Sequence, residues 1–187
     1  INVDAAGIRP GSKEGRRILF VGRNFVRKGG PLVVQAFTIL RKKYLWSAEL
    51  YLAGAKESDI RDALRERQIR VEEADWQKIH LLGDLGSEKL TDYYNLCDVF
   101  CMPSYFEAYG LVFAEALTYG LPCIGRDKFA MSEFIEDGCT GRLISGGVGS
   151  TSGSEIPGGS GTAEGMVSER VFLGQGGAEN MQCDGEK

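Results

Sequence analysis

Short apolar runs alternate with helix-period segments along most of this chain, and no other feature limits the fold as tightly. The runs are residues 17–22 (RILFVG), 48–54 (AELYLAG), 78–83 (KIHLLG), 99–102 (VFCM), 121–125 (LPCIG) and 141–144 (GRLI). Near-continuous apolar runs of this length suit strands buried on both faces. Between the first two, Val33, Ala36, Phe37 and Leu40 recur at i, i+3, i+4 and i+7 behind Pro31, which stands at a favoured first helical position. Residues 58–70 read as a charged helix with Ile60 and Leu64 one turn apart. Residues 88–96 carry Leu90, Tyr93 and Tyr94 on one face, and 131–136 form a short helix. Strands joined by short helical crossovers pair in parallel with right-handed connections. The expectation is an α/β fold built on a doubly wound, mostly parallel, Rossmann-like sheet of six strands.

At 187 residues, 43% hydrophobic and 26% charged, the chain has room for one domain core, expected over residues 17–145. Residues 1–16 (INVDAAGIRPGSKEGR) read as a linker or the remnant of an interdomain segment. Because the chain begins at Ile1, a fragment or processed piece is expected. Residues 146–187 hold twelve of the 26 glycines, with scattered serine and no period, and a packed element is not expected there. A net charge of −4 gives no electrostatic case for nucleic acid, so single arginines and lysines are read as local site groups. The five cysteines lack zinc spacing and read as reduced, buried thiols of a cytosolic protein. No run approaches the roughly 18 apolar residues of a membrane span. Neither G-x-G-x-x-G nor G-x-x-x-x-G-K-[ST] occurs, which disfavours a dinucleotide dehydrogenase or a P-loop enzyme. His80 is expected to pack within its strand, with no nucleophile to activate.

Chemistry concentrates where strands end. Pro103-Ser104 stops the run 99–102, and a helix begins at Leu111 and closes at Gly120. The first amides of such a helix, with its dipole, are ready to hold a phosphate, and Ala108, Gly110 and Leu111 are the candidate donors. Glu107 and Glu115 frame that point. A carboxylate repels phosphate but accepts strongly from neutral hydroxyls. A phosphate flanked by two sets of hydroxyls describes a nucleoside diphosphate sugar. Arg23 and Lys28 lie on the loop after the first strand, where ligands of open α/β sheets bind, and both suit phosphate oxygens.

The E-x7-E spacing of Glu107 and Glu115, in the string PSYFEAYGLVFAEALTYGLP, closely resembles the signature of retaining GT-B glycosyltransferases of the family 4 group. The string V-G-R-x4-K-G around Arg23 and Lys28 resembles the same family's pyrophosphate clamp. The resemblance implies that Arg23, Lys28 and Glu107 are catalytic: the cations neutralise the departing diphosphate and Glu107 holds the donor sugar. It implies that Glu115 binds the ribose, that Ala108, Tyr109, Gly110 and Leu111 form the donor-facing turn, and that the loop holding Leu85 contacts the base. Arg27 has no role in the family pattern.

By the same resemblance, the reaction is transfer of a hexosyl group from a nucleoside diphosphate sugar to an acceptor hydroxyl, with configuration retained and without metal or cofactor. The acceptor is a glycan, lipid or small molecule. An amino-terminal GT-B domain supplies the acceptor side, so this carboxyl-terminal half is expected to bind without turnover. A cytoplasmic location is implied, with peripheral association at a membrane where the acceptor is a lipid. Departures are Ala108 where the family has glycine, and Lys128-Phe129-Ala130 where it commonly has a glycine pair. Beyond Ser145 the family's closing helices are not recognisable, and a shifted reading frame or a flexible linker is expected. The alternatives are a nucleotide-sugar epimerase of similar architecture and a non-catalytic nucleotide-sugar-binding fragment.

Overall fold

Six strands pair in parallel throughout, in the order β3-β2-β1-β4-β5-β6. They are β1 (Arg17–Val21), β2 (Glu49–Ala53), β3 (Ile79–Gly83), β4 (Val99–Cys101), β5 (Cys123–Arg126) and β6 (Gly141–Ile144). The helices are α1 (Gly30–Lys43), α2 (Glu57–Glu66), α3 (Glu73–Trp76), α4 (Ser87–Leu96), α5 (Leu111–Thr118) and α6 (Met131–Phe134). These come from a computed structural model that describes residues 16–145 together with Ala163 and Met166. The doubly wound Rossmann-like sheet expected from the apolar runs is the sheet observed.

The chain winds from β1 outward to β3, and then α4 carries it back to lay β4 on the other edge of β1. Leu19 is thus in register with Tyr51 on one side and Phe100 on the other. The crossovers that follow β1 and β4 run to opposite sides of this reversal, which places a crevice at the carboxyl ends of the strands. Phe20, Phe37, Phe100 and Phe113 are fully buried around the middle strands. Phe100 of β4 and Phe113 of α5 meet edge to face at 5.2 Å, which seats the first turn of α5 on the sheet.

Several boundaries differ from expectation for local reasons. The helix expected over 58–70 ends at Glu66, and Gln68 then takes a left-handed φ of 54°. α3 has no buried residue, so no apolar period marks it in the sequence. β5 begins at Cys123, because Pro122 lacks an N–H and contributes its carbonyl to Phe100 N at 3.0 Å instead. α6 ends at Phe134, two residues short. Cys97, Cys101 and Cys123 are reduced and buried as expected, whereas Cys139 is disulfide-bonded. Ala163 and Met166 are helical and buried on the core. The expected linker over 1–16, but for Arg16, and the expected shift or linker beyond Ser145 otherwise fall outside the described residues. Among the described residues, no helix is long and apolar enough to cross a membrane.

Candidate functional site

The loop after β1 is anchored by Phe25, which is buried and packs edge to face on Phe20 at 5.7 Å. Asn24 closes the turn, its Oδ1 accepting from Arg27 N at 3.0 Å and its carbonyl from Lys28 N at 3.0 Å. Gly29 follows at φ 81°, and a Cβ there would stand 2.4 Å from the Pro103 carbonyl oxygen. Only glycine permits so close an approach of the two loops. Arg27 then ties them. Its Nη1 donates to the Phe106 carbonyl at 2.8 Å, and its own carbonyl accepts from Tyr105 N at 2.9 Å and Ser104 Oγ at 3.3 Å. From beneath, Arg126 of β5, 4% exposed, donates Nε to the Pro103 carbonyl at 3.0 Å and lies 4.5 Å over the Tyr105 ring. Burial pushes its pKa down, opposed by Tyr105.

This frame holds Glu107, which is only 8% exposed. Its Oε2 is ion-paired with Lys28 Nζ, and its Oε1 accepts from Gly110 N at 3.3 Å. The two sequence motifs therefore meet in one contact between residues 79 apart. The Gly110 amide, one of the candidate phosphate donors, donates to the Glu107 carboxylate in this structure. Gly110 is the N-cap of α5, at φ 63°. Leu111 opens the helix and is 48% exposed, while Ala108 and Tyr109 are exposed on the turn before it.

Beside the pair lies a cavity of about 400 Å³ lined by Gly22, Arg23, Lys28, Asp84, Leu85 and Val112, among others. Arg23 and Leu85, on the loops after β1 and β3, both line it. Arg23 is engaged by both oxygens of Asp84, at 3.1 and 3.2 Å, and both side chains are largely exposed. An exposed pair of this kind is worth little and yields readily to a ligand. Glu115, further along α5, accepts from Tyr94 Oη of α4 at 3.1 Å rather than joining the Lys28–Glu107 pair. Tyr94 stacks on Tyr119 with centroids 5.3 Å apart, and Tyr119 Oη reaches Thr91 Oγ1 at 3.3 Å. Burial, reinforced by the charge on Glu115, pushes the Tyr94 phenol well up, so it remains a donor.

Sequence reading missed Arg27, Tyr94 and Arg126, and took Asp84 only as backbone of the loop expected to contact the base. Only Tyr94 had a local signal, as one of the aromatics assigned to a core face. The others act across the sheet on partners that only the strand order brings near. A larger groove, about 560 Å³, lies between α2 and α3, but neither motif reaches it. Two of its arginines are already held, Arg61 by Glu57 at 2.7 Å and Arg65 by Asp62 at 2.9 Å. Among the described residues, no group of three or more His, Cys, Asp or Glu side chains is placed to hold a metal ion.

Known proteins share both the fold and the sequence pattern. D-inositol 3-phosphate glycosyltransferase of Paenarthrobacter aurescens is 32% identical over 149 residues, covering 75% of this chain and 33% of that protein. The pneumococcal O-GlcNAc transferase GtfA, solved in complex with UDP and GlcNAc, matches with a TM-score of 0.58 and 25% identity over 73% of this chain and 26% of its own. The carboxyl-terminal domain of a glycosyl transferase group 1 protein (LpcC) from Francisella tularensis has the same fold, with a TM-score of 0.63 at 18% identity, over 90% of this chain and 85% of that one. The chain spans about a third of the length of the curated relatives it matches. With the pattern of the family "Glycosyl transferases group 1" matching residues 15–151, this chain belongs to the group 1 glycosyl transferases and corresponds to their carboxyl-terminal GT-B domain.

Proposed function

We propose that this chain is the donor-binding part of an enzyme that moves a hexosyl group from a nucleoside diphosphate sugar to an acceptor hydroxyl with retention of configuration. The observation that supports it most is the contact of Lys28 with Glu107 at the sheet's reversal point. It brings a phosphate-binding cation against a hydroxyl-binding carboxylate, which is the spacing of functions along a diphosphate sugar. An ammonium has three N–H donors, so Lys28 can hold Glu107 and a phosphate oxygen together.

As the bond from the anomeric carbon to the diphosphate breaks, negative charge grows on the leaving phosphate. Arg23, Lys28 and the amino-terminal end of α5 offset that charge, and no metal is needed for it. Tyr94 takes one oxygen of Glu115 and leaves the other to accept from a ribose hydroxyl. Glu107 orients the sugar for the acceptor. The acceptor side belongs mainly to the two thirds of the curated relatives' length that this chain does not span, so the chain alone binds donor without transferring it.

Thermal unfolding with UDP, GDP and ADP tests this. At about 100 times its dissociation constant, the correct nucleotide stabilises the fold by roughly 2.7 kcal/mol. The shift is expected to vanish in Lys28→Ala and Glu115→Ala. A cooperative transition that none of the three nucleotides moves would sink the proposal.

A further inference from the structure

Five large apolar side chains stand exposed around Glu107, four on loops and one at the start of α5: Tyr105 (42%), Phe106 (51%), Tyr109 (78%), Phe129 (48%) and Leu111 (48%). Elsewhere among the described residues only Tyr44, Trp46 and Leu96 are comparably exposed, so the patch is local to the site. Within it, Phe106 and Phe129 meet edge to face, with centroids 5.1 Å apart and an interplanar angle of 67°. Phe129 adopts a φ of 57°, a left-handed backbone that a bulky side chain avoids and glycine accepts freely.

The strained residue is held from both sides. The next amide, Ala130 N, donates to the carbonyl of Glu107 itself at 3.3 Å, and Ser132 Oγ donates to the Phe129 carbonyl at 3.1 Å. Burial does not repay the strain, since half of the ring is in solvent. Strain that persists beside a site without a packing reward points to use. A half-exposed aromatic ring close to a carboxylate has a specific chemical complement. A pyranose offers a face of C–H groups to the ring and a rim of hydroxyls to the carboxylate.

We infer that Phe129, buttressed by Phe106, is an aromatic platform on which a pyranose ring stacks beside Glu107. This rests on reading the site as one for a nucleotide sugar. The ring belongs either to the donor or to the acceptor, and the two are separable.

Isothermal titration of the 187-residue chain with UDP, GDP and ADP, then with UDP-glucose, GDP-mannose and ADP-glucose, addresses the donor. Methyl glucoside, mannoside and galactoside, added to the nucleotide-saturated chain and to the free chain, address the acceptor. Phe129→Gly and Phe129→Ala are expected to leave nucleotide affinity unchanged and to weaken sugar binding about three- to tenfold, the scale of an aromatic contact. Phe129→Tyr restores it. Phe129→Gly melts no lower than the wild type, which separates loss of the ring from loss of the fold.

Weakening confined to nucleotide sugars assigns the platform to the donor, and weakening confined to methyl glycosides assigns it to the acceptor. Glycoside binding that depends on Phe129 in a chain that binds no nucleotide would keep the platform and overturn the donor reading. Sugar binding that is absent, or indifferent to all three substitutions, overturns the platform, as it would if the patch instead met a protein surface.

Discussion

Tyr94 is the residue at which packing and site can be separated experimentally. Tyr94→Phe keeps the stack on Tyr119 and removes the donor to Glu115. Loss of a hydrogen bond to a charged group is worth roughly 1.5–3 kcal/mol, so nucleotide affinity is expected to fall by at least about tenfold while the helical circular dichroism stays unchanged. Calorimetric titration decides it; unaltered affinity would mean that Glu115 needs no positioning. Glu49, on β2 and remote from the site, makes a pH prediction. Burial pushes its carboxyl up, but hydrogen bonds from Tyr51 Oη at 2.8 Å and Lys78 Nζ at 3.2 Å, with the charge of Lys78, outweigh this and hold it below its ordinary value of 4.5. A depressed folded pKa contributes stability that is fully present above the unfolded value and is lost as pH falls through the folded one. The wild type should therefore melt above Glu49→Gln at pH 6, and the gap should close progressively below about pH 4.5. Melts that stay equally far apart down to pH 3 would contradict it.

The elements that matter most for the site are the two loops that meet at Gly29 and Pro103. Gly29→Ala places a methyl group in a left-handed residue, which costs about 1–2 kcal/mol, and drives it onto a carbonyl. The expected outcome is a loss above about 2 kcal/mol in urea denaturation, together with loss of nucleotide binding. A variant of wild-type stability would show that the loops tolerate separation. These loops also mark where sequence stops being legible. Pro103-Ser104, the helix from Leu111 and its stop at Gly120 could be read because proline, apolar period and left-handed glycine act on their own neighbours. Arg27 could not be, because its partner is a carbonyl 79 residues away. The engagement of Gly110 N by Glu107 was hidden too, since a short polar turn can close in several ways. α3 escaped notice because it buries nothing, and the strain at Phe129 is visible only in the backbone.

At the scale of the molecule, β1 is the hinge of the sheet, bonded to β2 on one edge and β4 on the other. Alternation of apolar runs with helices was enough to foresee parallel pairing, though the order of strands follows from the reversal and not from any single run. Hydrogen exchange should reflect that order. The amides of Leu19 and Phe20 are expected to exchange only by global unfolding, and those of β3 and β6, at the sheet's two edges, through smaller openings. Equal protection across all six strands would argue against it.

The position of β1 also bears on how the chain is made. During translation β2 and β3 leave the ribosome soon after β1, but the other edge of β1 waits for residues 99–101. At about 5–20 residues per second, that edge stays unpaired for roughly 4–16 s. An apolar strand with a bare edge is what neighbouring nascent chains and chaperones recognise. The same reversal that opens a crevice for a ligand therefore leaves the edge of the central strand bare for longer during synthesis than any other paired edge of the sheet.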